Sequence, residues 1–472
     1  MLKSILADRL APHQILTWAI IGLISAACVV LGYHPSILAL AALLAIAVAA
    51  ALIRRPILGP YLLVIGALFV PLDIPTGTEV PLNAAVLVVA AMLAFWLVGI
   101  LLRAESGPAA SIVNRPYALF LGAGLLSLVV GTAIWDPMVP RTRNFLIVQF
   151  AQWAIFALSG AAMWRLGRLA RGSGSLRALT YSFLGAAGVL AILFVIPGSE
   201  RYLPVTFAIQ RAPFWALLTG LALGQLLFNR SLSGAWRAFL VASLVAVILY
   251  AFFDRRERLS NMVGVVAVAG VLLLLRWPHL SRPALVLLVG LAFVFHTQLY
   301  DFAGGSAKWD ESGGSRLVLI GRVIEVSLRN PITGLGPAAY RSYARLKPLA
   351  YQNALWLDPL VNSHNNYVDL FSQLGVLGLV LFIWFAVSMI RLALRLRRRY
   401  RHGFEGGYVN GMLACWCGAL VIMLLADWIL PFVYNIGFPG FQASILIWLF
   451  LGGLVALESP AANGPGSSQA VS

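Results

Sequence analysis

Residues 362–402 read NSHNNYVDLFSQLGVLGLVLFIWFAVSMIRLALRLRRRYRH. A polar cluster with one histidine opens the stretch, an apolar run fills its middle and a basic run closes it. Residues 366–390 therefore read as one membrane-crossing helix, since about 20 mostly apolar residues span the roughly 30 Å hydrocarbon core. Lys and Arg collect on the cytoplasmic side of such helices. The basic run 391–402 then marks the cytoplasmic end, and His364 stands at the opposite mouth.

The same pattern recurs in both directions along the chain. Of its 472 residues 61% are hydrophobic and only 11% are charged, with a mean hydropathy of +0.88. That excludes a water-soluble globular protein. The chain reads as an all-α polytopic membrane protein with about fourteen transmembrane helices. They are expected near 15–33, 36–53, 57–72, 81–102, 116–135, 144–164, 178–196, 213–228, 237–253, 259–275, 283–298, 366–390, 409–426 and 438–457. Both termini are then cytoplasmic. The basic segments at 54–55, 165–177, 276–282 and 391–402 all fall on that side.

The full charge inventory tests this assignment. The inner segments hold 20 Lys and Arg against 4 Asp and Glu, and the outer ones 14 against 13. The net charge of +17 is thus mostly topology and attraction to anionic lipid head groups, and implies no nucleic-acid partner. No cleavage site follows the first apolar run, so that run reads as a retained helix. Cys28, Cys415 and Cys417 are too few and too poorly spaced for a disulfide framework or a shared metal.

The organisation follows from these spans: helices 1–11 over 1–298, a long periplasmic loop over 299–365, helices 12–14 over 366–457, and a small polar tail over 458–472 expected to be disordered. A connection as long as 299–365 is usually functional. Within it, Leu317, Ile320, Ile324 and Leu328 recur at helical spacing, while Arg322, Glu325 and Arg329 share another face. An amphipathic helix over 315–329 is expected, lying near the outer membrane surface and stopped by Asn330-Pro331 and the turn TGLGP at 333–337.

Several arginines sit where the positive-inside pattern makes them rare: Arg141, Arg143, Arg201, Arg211, Arg255, Arg256 and Arg258, all in short outer loops. One reading pairs them with Asp136, Glu200, Asp254 and Glu257 in solvated turns. The other has them hold an anion at membrane depth. A lipid-linked diphosphate suits that role, because guanidinium is always charged and its fork matches phosphate oxygens.

Three stretches carry a family resemblance: SRLVLIGRVIEVSLRNPITGLGPAAY at 315–340, NSHNNYVDLFSQLGVLG at 362–378 and, more weakly, RRERLSNMVGVVAVAG at 255–270. Together they resemble the O-antigen ligase and polymerase superfamily of integral-membrane glycosyltransferases. Arg316, Pro331, Gly334, Gly336, His364, Asn365, Tyr367, Gly375 and Gly378 occupy the positions of the family pattern. Two features depart from it. DRRERLS stands where members often show SRG, so that Arg258 aligns most easily, with Glu257 in place of serine, while Arg255 or Arg256 could do the same work. Leu319-Ile320 replaces a frequent aromatic residue.

The resemblance implies a GT-C-like enzyme of the bacterial inner membrane. It would move a glycan from an undecaprenyl-diphosphate carrier to an acceptor hydroxyl at the periplasmic face, inverting the anomeric carbon by single displacement, with no metal and no cofactor. Such a reaction needs charge neutralised on the leaving diphosphate and an acceptor hydroxyl made more nucleophilic. Arg316, Arg258, Arg255 and Arg211 are the candidates for the first task and His364 for the second, since its free pKa of about 6.5 leaves it largely neutral.

Around them, Gly334 and Gly336 read as turn glycines and Asn365 and Asn366 as helix caps. Asp369 would either orient His364 or favour the helix start. The acceptor distinguishes a ligase, which modifies a lipid A core sugar, from a polymerase, which extends another carrier-linked repeat. The sequence leaves both open. Other classes are a lipid-linked oligosaccharide flippase, which should carry charges deep within its helices, a polyprenyl-monophosphate-sugar transferase, which relies on acidic residues in a first outer loop that is here only GYHPS, and an inert scaffold.

Overall fold

The computed structural model describes residues 37–77, 81–141, 143–170, 172–203, 206–253, 258–280, 314–345 and 363–458, with isolated positions between 18 and 25 and between 283 and 297. The spans expected at 15–33 and 283–298 lie almost wholly outside these residues. So do Arg255, Arg256 and Glu257, most of the long loop, and the tail from 459 onward. The chain divides into two units, residues 1–58 and 59–472.

In the first unit, α1 (Ile37–Arg54) is an apolar helix with Arg54 in its last turn. The second unit carries α2 (Leu58–Phe69) from its second residue on, α3 (Ala84–Leu101), α4 (Asn114–Ala133), α5 (Phe145–Leu169), α6 (Ser173–Phe194), α7 (Ala212–Phe228), α8 (Gly234–Phe253) and α9 (Arg258–Arg276). After the loop come α10 (Gly314–Ser327), α11 (Tyr340–Ala344), α12 (Asn366–Arg399), α13 (Gly403–Ile422) and α14 (Gly437–Glu458). A two-residue hairpin, β1 (Asp73–Ile74) with β2 (Leu82–Asn83), is antiparallel and pairs Asp73 with Asn83. Among the described residues seven helices are long and apolar enough to cross a bilayer: α3, α4, α5, α6, α8, α12 and α14. The protein is an all-helical, multi-pass membrane protein.

Every residue of α14 except Pro439 and its terminal Glu458 is buried. Its Trp448 stacks on Phe385 of α12 with centroids 5.7 Å apart, and Tyr117 of α4 meets Phe385 at 4.7 Å. Beside this aromatic core, α7 and α13 approach through facing small residues, Gly220 and Gly224 against Gly407 and Gly411. A methyl group on Gly220 would strike the Gly411 carbonyl oxygen at 2.9 Å, and Gly411 meets Gly220 reciprocally. Small residues four apart let two membrane helices bring their backbones together without a side chain between them.

One end of this unit gathers the basic segments. Arg177 at the start of α6 meets Glu405 at the start of α13 at 3.5 Å. Arg397 donates to the Leu275 carbonyl at the end of α9 at 2.7 Å, and Arg395 pairs with Glu458 at 3.2 Å. The ends of five helices that the charge pattern assigns to one side thus meet in space.

Two expectations are corrected. The helix over 366–390 is not one straight crossing: at Gly375 the backbone turns to φ 66°, ψ −168° and α12 kinks, then runs on to Arg399. The helix expected at 409–426 ends at Ile422, and residues 423–436 form no simple surface turn. Of these, Ala426 to Val433 are buried as irregular chain. Such backbone is tolerated at depth only where the protein meets its hydrogen bonds. Asn366 does so for Ile429 N and Leu430 N, both at 3.3 Å, and for Leu430 O at 2.7 Å. Gln152 of α5 accepts from Val433 N at 2.7 Å and donates to Pro431 O at 3.0 Å.

Candidate functional site

The glycines of the loop motif explain how the polar mouth of α12 is built. Gly334 and Gly336 have φ of 78° and 113°, the left-handed region that side chains with a Cβ rarely occupy. Their turn lies against the Gly375 kink. Leu335 N donates to Ser372 O at 2.9 Å and Gly336 N to Gln373 O at 3.2 Å, while Val376 N and Leu377 N donate to Pro331 O and Ile332 O at 2.8 and 3.1 Å. The turn thereby caps the helix restart at the kink, as side chains cap ordinary helix termini.

At the start of α12, Asn365 is the N-cap, its Oδ1 accepting from Tyr367 N and Val368 N. Asn366 holds the buried segment instead of capping. Asp369 stands in the first turn of α12, where its charge favours the helix start. Its Oδ1 accepts from Ser363 N and Ser363 Oγ at 3.0 and 2.6 Å, fixing the residue before His364. His364 itself adopts φ 53°, a conformation in which histidine is more frequent than most side chains.

This geometry aims the His364 ring at a residue that sequence reasoning missed. Asp427, only 1% exposed, places Oδ1 3.9 Å from His364 Nδ1. The amide of Asn435 bridges the two, with Nδ2 2.8 Å from Asp427 Oδ1 and 3.4 Å from His364 Nδ1. Phe432 N donates to Asp427 Oδ2 at 3.0 Å. A single Asp in the apolar 409–457 region was the available signal, because ionisable groups at membrane depth are costly and tend to be functional.

Two of the candidate arginines lie against the segment that carries this carboxylate. Arg316 near the start of α10 donates to Leu425 O at 2.8 Å, and its Nε is buried without a hydrogen-bond partner. Arg211, the residue before α7, lies between two rings, 4.2 Å from the Phe207 centroid and 4.8 Å from that of Trp428. Burial lowers the pKa of both, and Asp427 opposes that shift in each case. Burial also lowers the pKa of His364 below the ordinary histidine value, Asp427 raises it, and Arg316 lowers it further. Two cations thus lie against residues 425 and 428, on either side of the buried anion that faces the titratable ring.

The other outer arginines do not share this place. Arg141, Arg143 and Arg201 are exposed. Arg141 lies 5.0 Å over the Trp135 ring, while Asp136 pairs with Arg329 at 2.7 Å. Arg258 begins α9, but its side chain, like Arg255, lies outside the described parts. The apolar stripe of α10 faces outward: Leu317 and Leu328 are 60% and 61% exposed, while Leu319 and Val323 on another face are buried. That is the arrangement expected of a helix at a lipid surface.

Residues 205–383 match the family model described as O-antigen ligase. That segment of the chain is similar to the O-antigen ligase family and supports the resemblance to the ligase and polymerase superfamily. The match takes in Arg211, Arg316, the glycine turn and His364, and ends before Asp427 and Asn435. None of the curated proteins compared matches the chain. The O-antigen ligase family acts on lipid-linked glycans in a membrane, and the match supports a glycosyltransferase-like enzyme of polysaccharide biosynthesis.

Proposed function

We propose that this protein transfers a glycan from an undecaprenyl-diphosphate carrier to an acceptor hydroxyl at the periplasmic face of the bacterial inner membrane. The observation that carries the reading is the convergence of His364, Arg316 and Arg211 on the segment around Asp427 at the end of α12 remote from its basic run.

His364 acts as general base. The neutral ring takes the acceptor's proton, and Asp427, 3.9 Å from Nδ1, stabilises the imidazolium that forms. Arg316 and Arg211 neutralise charge building on the leaving diphosphate. The orphaned Nε of Arg316 suits a phosphate oxygen, since a buried donor without a partner is costly until a ligand supplies one. Arg258, and Arg255 beside it, complete the anion site in this reading. The reaction runs by single displacement with inversion and draws on protein groups alone.

The test is an in vitro transfer assay with purified protein, an undecaprenyl-diphosphate-linked glycan, and either core lipid A or a second carrier-linked glycan as acceptor. His364→Ala is expected to fold normally and to lose about 100- to 10,000-fold in turnover, the usual contribution of a positioned acid or base. Arg316→Ala is expected to lose both donor affinity and turnover. The modified acceptor separates ligase from polymerase. Full activity in His364→Ala refutes the base assignment, and a folded wild type that moves carrier-linked glycan across vesicles without transferring it establishes a flippase.

A further inference from the structure

A polar pocket lies away from His364. A cavity of about 300 Å³ is lined by Gly131 and Ile134 at the end of α4, Asp136, Arg329 and Asn330 after α10, Leu335 of the glycine turn, and Tyr343 of α11. Arg316 and Arg329 flank opposite ends of α10, which sets the two places roughly 15–20 Å apart at 1.5 Å rise per residue. We propose that this cavity binds a neutral sugar residue of the glycan, remote from the bond that reacts. The inference rests on the transfer reading given above.

Three observations select that ligand class. The Arg329 guanidinium is held by Asp136 at 2.7 Å, with half of the arginine side chain exposed. Its charge is therefore already matched, unlike that of Arg316, whose Nη1 is held by the Leu425 carbonyl and whose Nε has no partner. A diphosphate would have to displace Asp136 and face its negative charge. An alkyl chain fits no better, because it would strip water from the ion pair and offer nothing in return. What the pair still presents is a set of donors and acceptors with little net charge, suited to hydroxyl groups. The second observation is the ring of Tyr343, 7% exposed, with the Arg329 guanidinium 5.5 Å from its centroid. An aromatic ring beside paired polar groups matches a sugar, which alternates C–H faces with hydroxyls. Arg141 is close by but does not line the cavity: its Nη2 donates to Thr132 O at 3.2 Å and its guanidinium lies 5.0 Å over the Trp135 ring.

Size gives the third. Pockets for small ligands run from about 300 to 1,000 Å³, so this one sits at the lower end and takes a single ring. Its walls are tied to the reaction site through the backbone. Leu335 lines the cavity, and its N–H is one of the bonds that fasten the glycine turn to α12. A sugar seated here would hold the glycan in register with the site at His364, fixing which repeat is presented.

The test uses the full-length protein in nanodiscs and two soluble probes: the neutral oligosaccharide repeat released by mild acid from the host's carrier-linked glycan, and inorganic pyrophosphate. Saturation-transfer NMR titrations are expected to show oligosaccharide binding that Arg329→Ala and Tyr343→Ala each weaken at least tenfold and that Arg316→Ala leaves in place. Pyrophosphate binding should show the reverse dependence. Arg329→Lys, which keeps the charge and loses the fork, is expected to fall between. In the transfer assay, a rise in donor KM for Arg329→Ala assigns the sugar to the carrier-linked chain, and a rise in acceptor KM assigns it to the acceptor.

Unchanged oligosaccharide affinity in both folded variants overturns the proposal. So does pyrophosphate binding that depends on Arg329, or a wild type that binds no oligosaccharide. None of those outcomes touches the transfer reading, which stands or falls on His364→Ala.

Discussion

Asp427 shows how much chemistry one residue carries without a motif around it. His364 is legible in the sequence because polar residues surround it at the head of an apolar run, and Arg316 because it opens a recognisable amphipathic stretch. Asp427 sits in ADWILPF, where nothing but its charge stands out. Its partners Asn435 and Phe432 come from the same irregular segment, whose path no periodicity encodes. Its effect is measurable through pH. Burial lowers the His364 pKa, so the base stays neutral as the pH falls, and the kcat/KM plateau of the wild type is expected to extend below about 6.5, the free-histidine value. Asp427 raises that pKa. Asp427→Asn is therefore expected to move the acid limb to still lower pH while cutting turnover by at least about tenfold. An acid limb that moves upward in pH–rate profiles of the two proteins refutes the pairing.

At the scale of elements, helices were readable and their interruptions were not. The apolar runs locate α3, α4, α5, α6, α7, α8, α9 and α14 to within a few residues, because the length needed to cross hydrocarbon is set by the bilayer. The kink in α12 escaped because LGVLG is as apolar as its surroundings, and only the turn at 331–336, distant in sequence, reveals why Gly375 breaks there. The facing glycines of α7 and α13 were available as two G-x-x-x-G spacings that pattern alone could have flagged. A Cβ on Gly375 would overlap the Ile332 carbonyl, and φ there is 66°. Gly375→Ala is expected to lower stability by about 1–3 kcal/mol from backbone strain alone, with the overlap adding to it. Thermal unfolding of detergent-solubilised protein followed by size-exclusion chromatography reads that loss, and an unchanged midpoint refutes the account of the kink. Leu394→Ala, on an exposed part of α12, is the comparison expected to shift little.

Across the whole molecule, charge was the most informative feature of the sequence. The inner segments named from Lys and Arg counts include Arg177, Arg395 and Arg397, and these meet the ends of neighbouring helices at one end of the second unit. The His364 site stands at the other end of α12. That arrangement predicts opposite faces of the membrane for two exposed positions, Met138, 78% exposed, and His402. In a background with Cys28, Cys415 and Cys417 replaced by serine, Met138→Cys is expected to react with a membrane-impermeant maleimide once the outer membrane is permeabilised, and His402→Cys only after lysis. The reverse labelling pattern would invert the topology and the periplasmic assignment with it.

The bonds that join residues 331–336 to 372–377 have a bearing on descent as well as on structure. Each side of that seam is fitted to the backbone of the other, with no side chains between to absorb a mismatch. A hybrid gene that takes the loop from one relative and the following helix from another would join two halves cut to different templates. Inheritance should therefore pass the two stretches on together, even though about forty residues separate them along the chain.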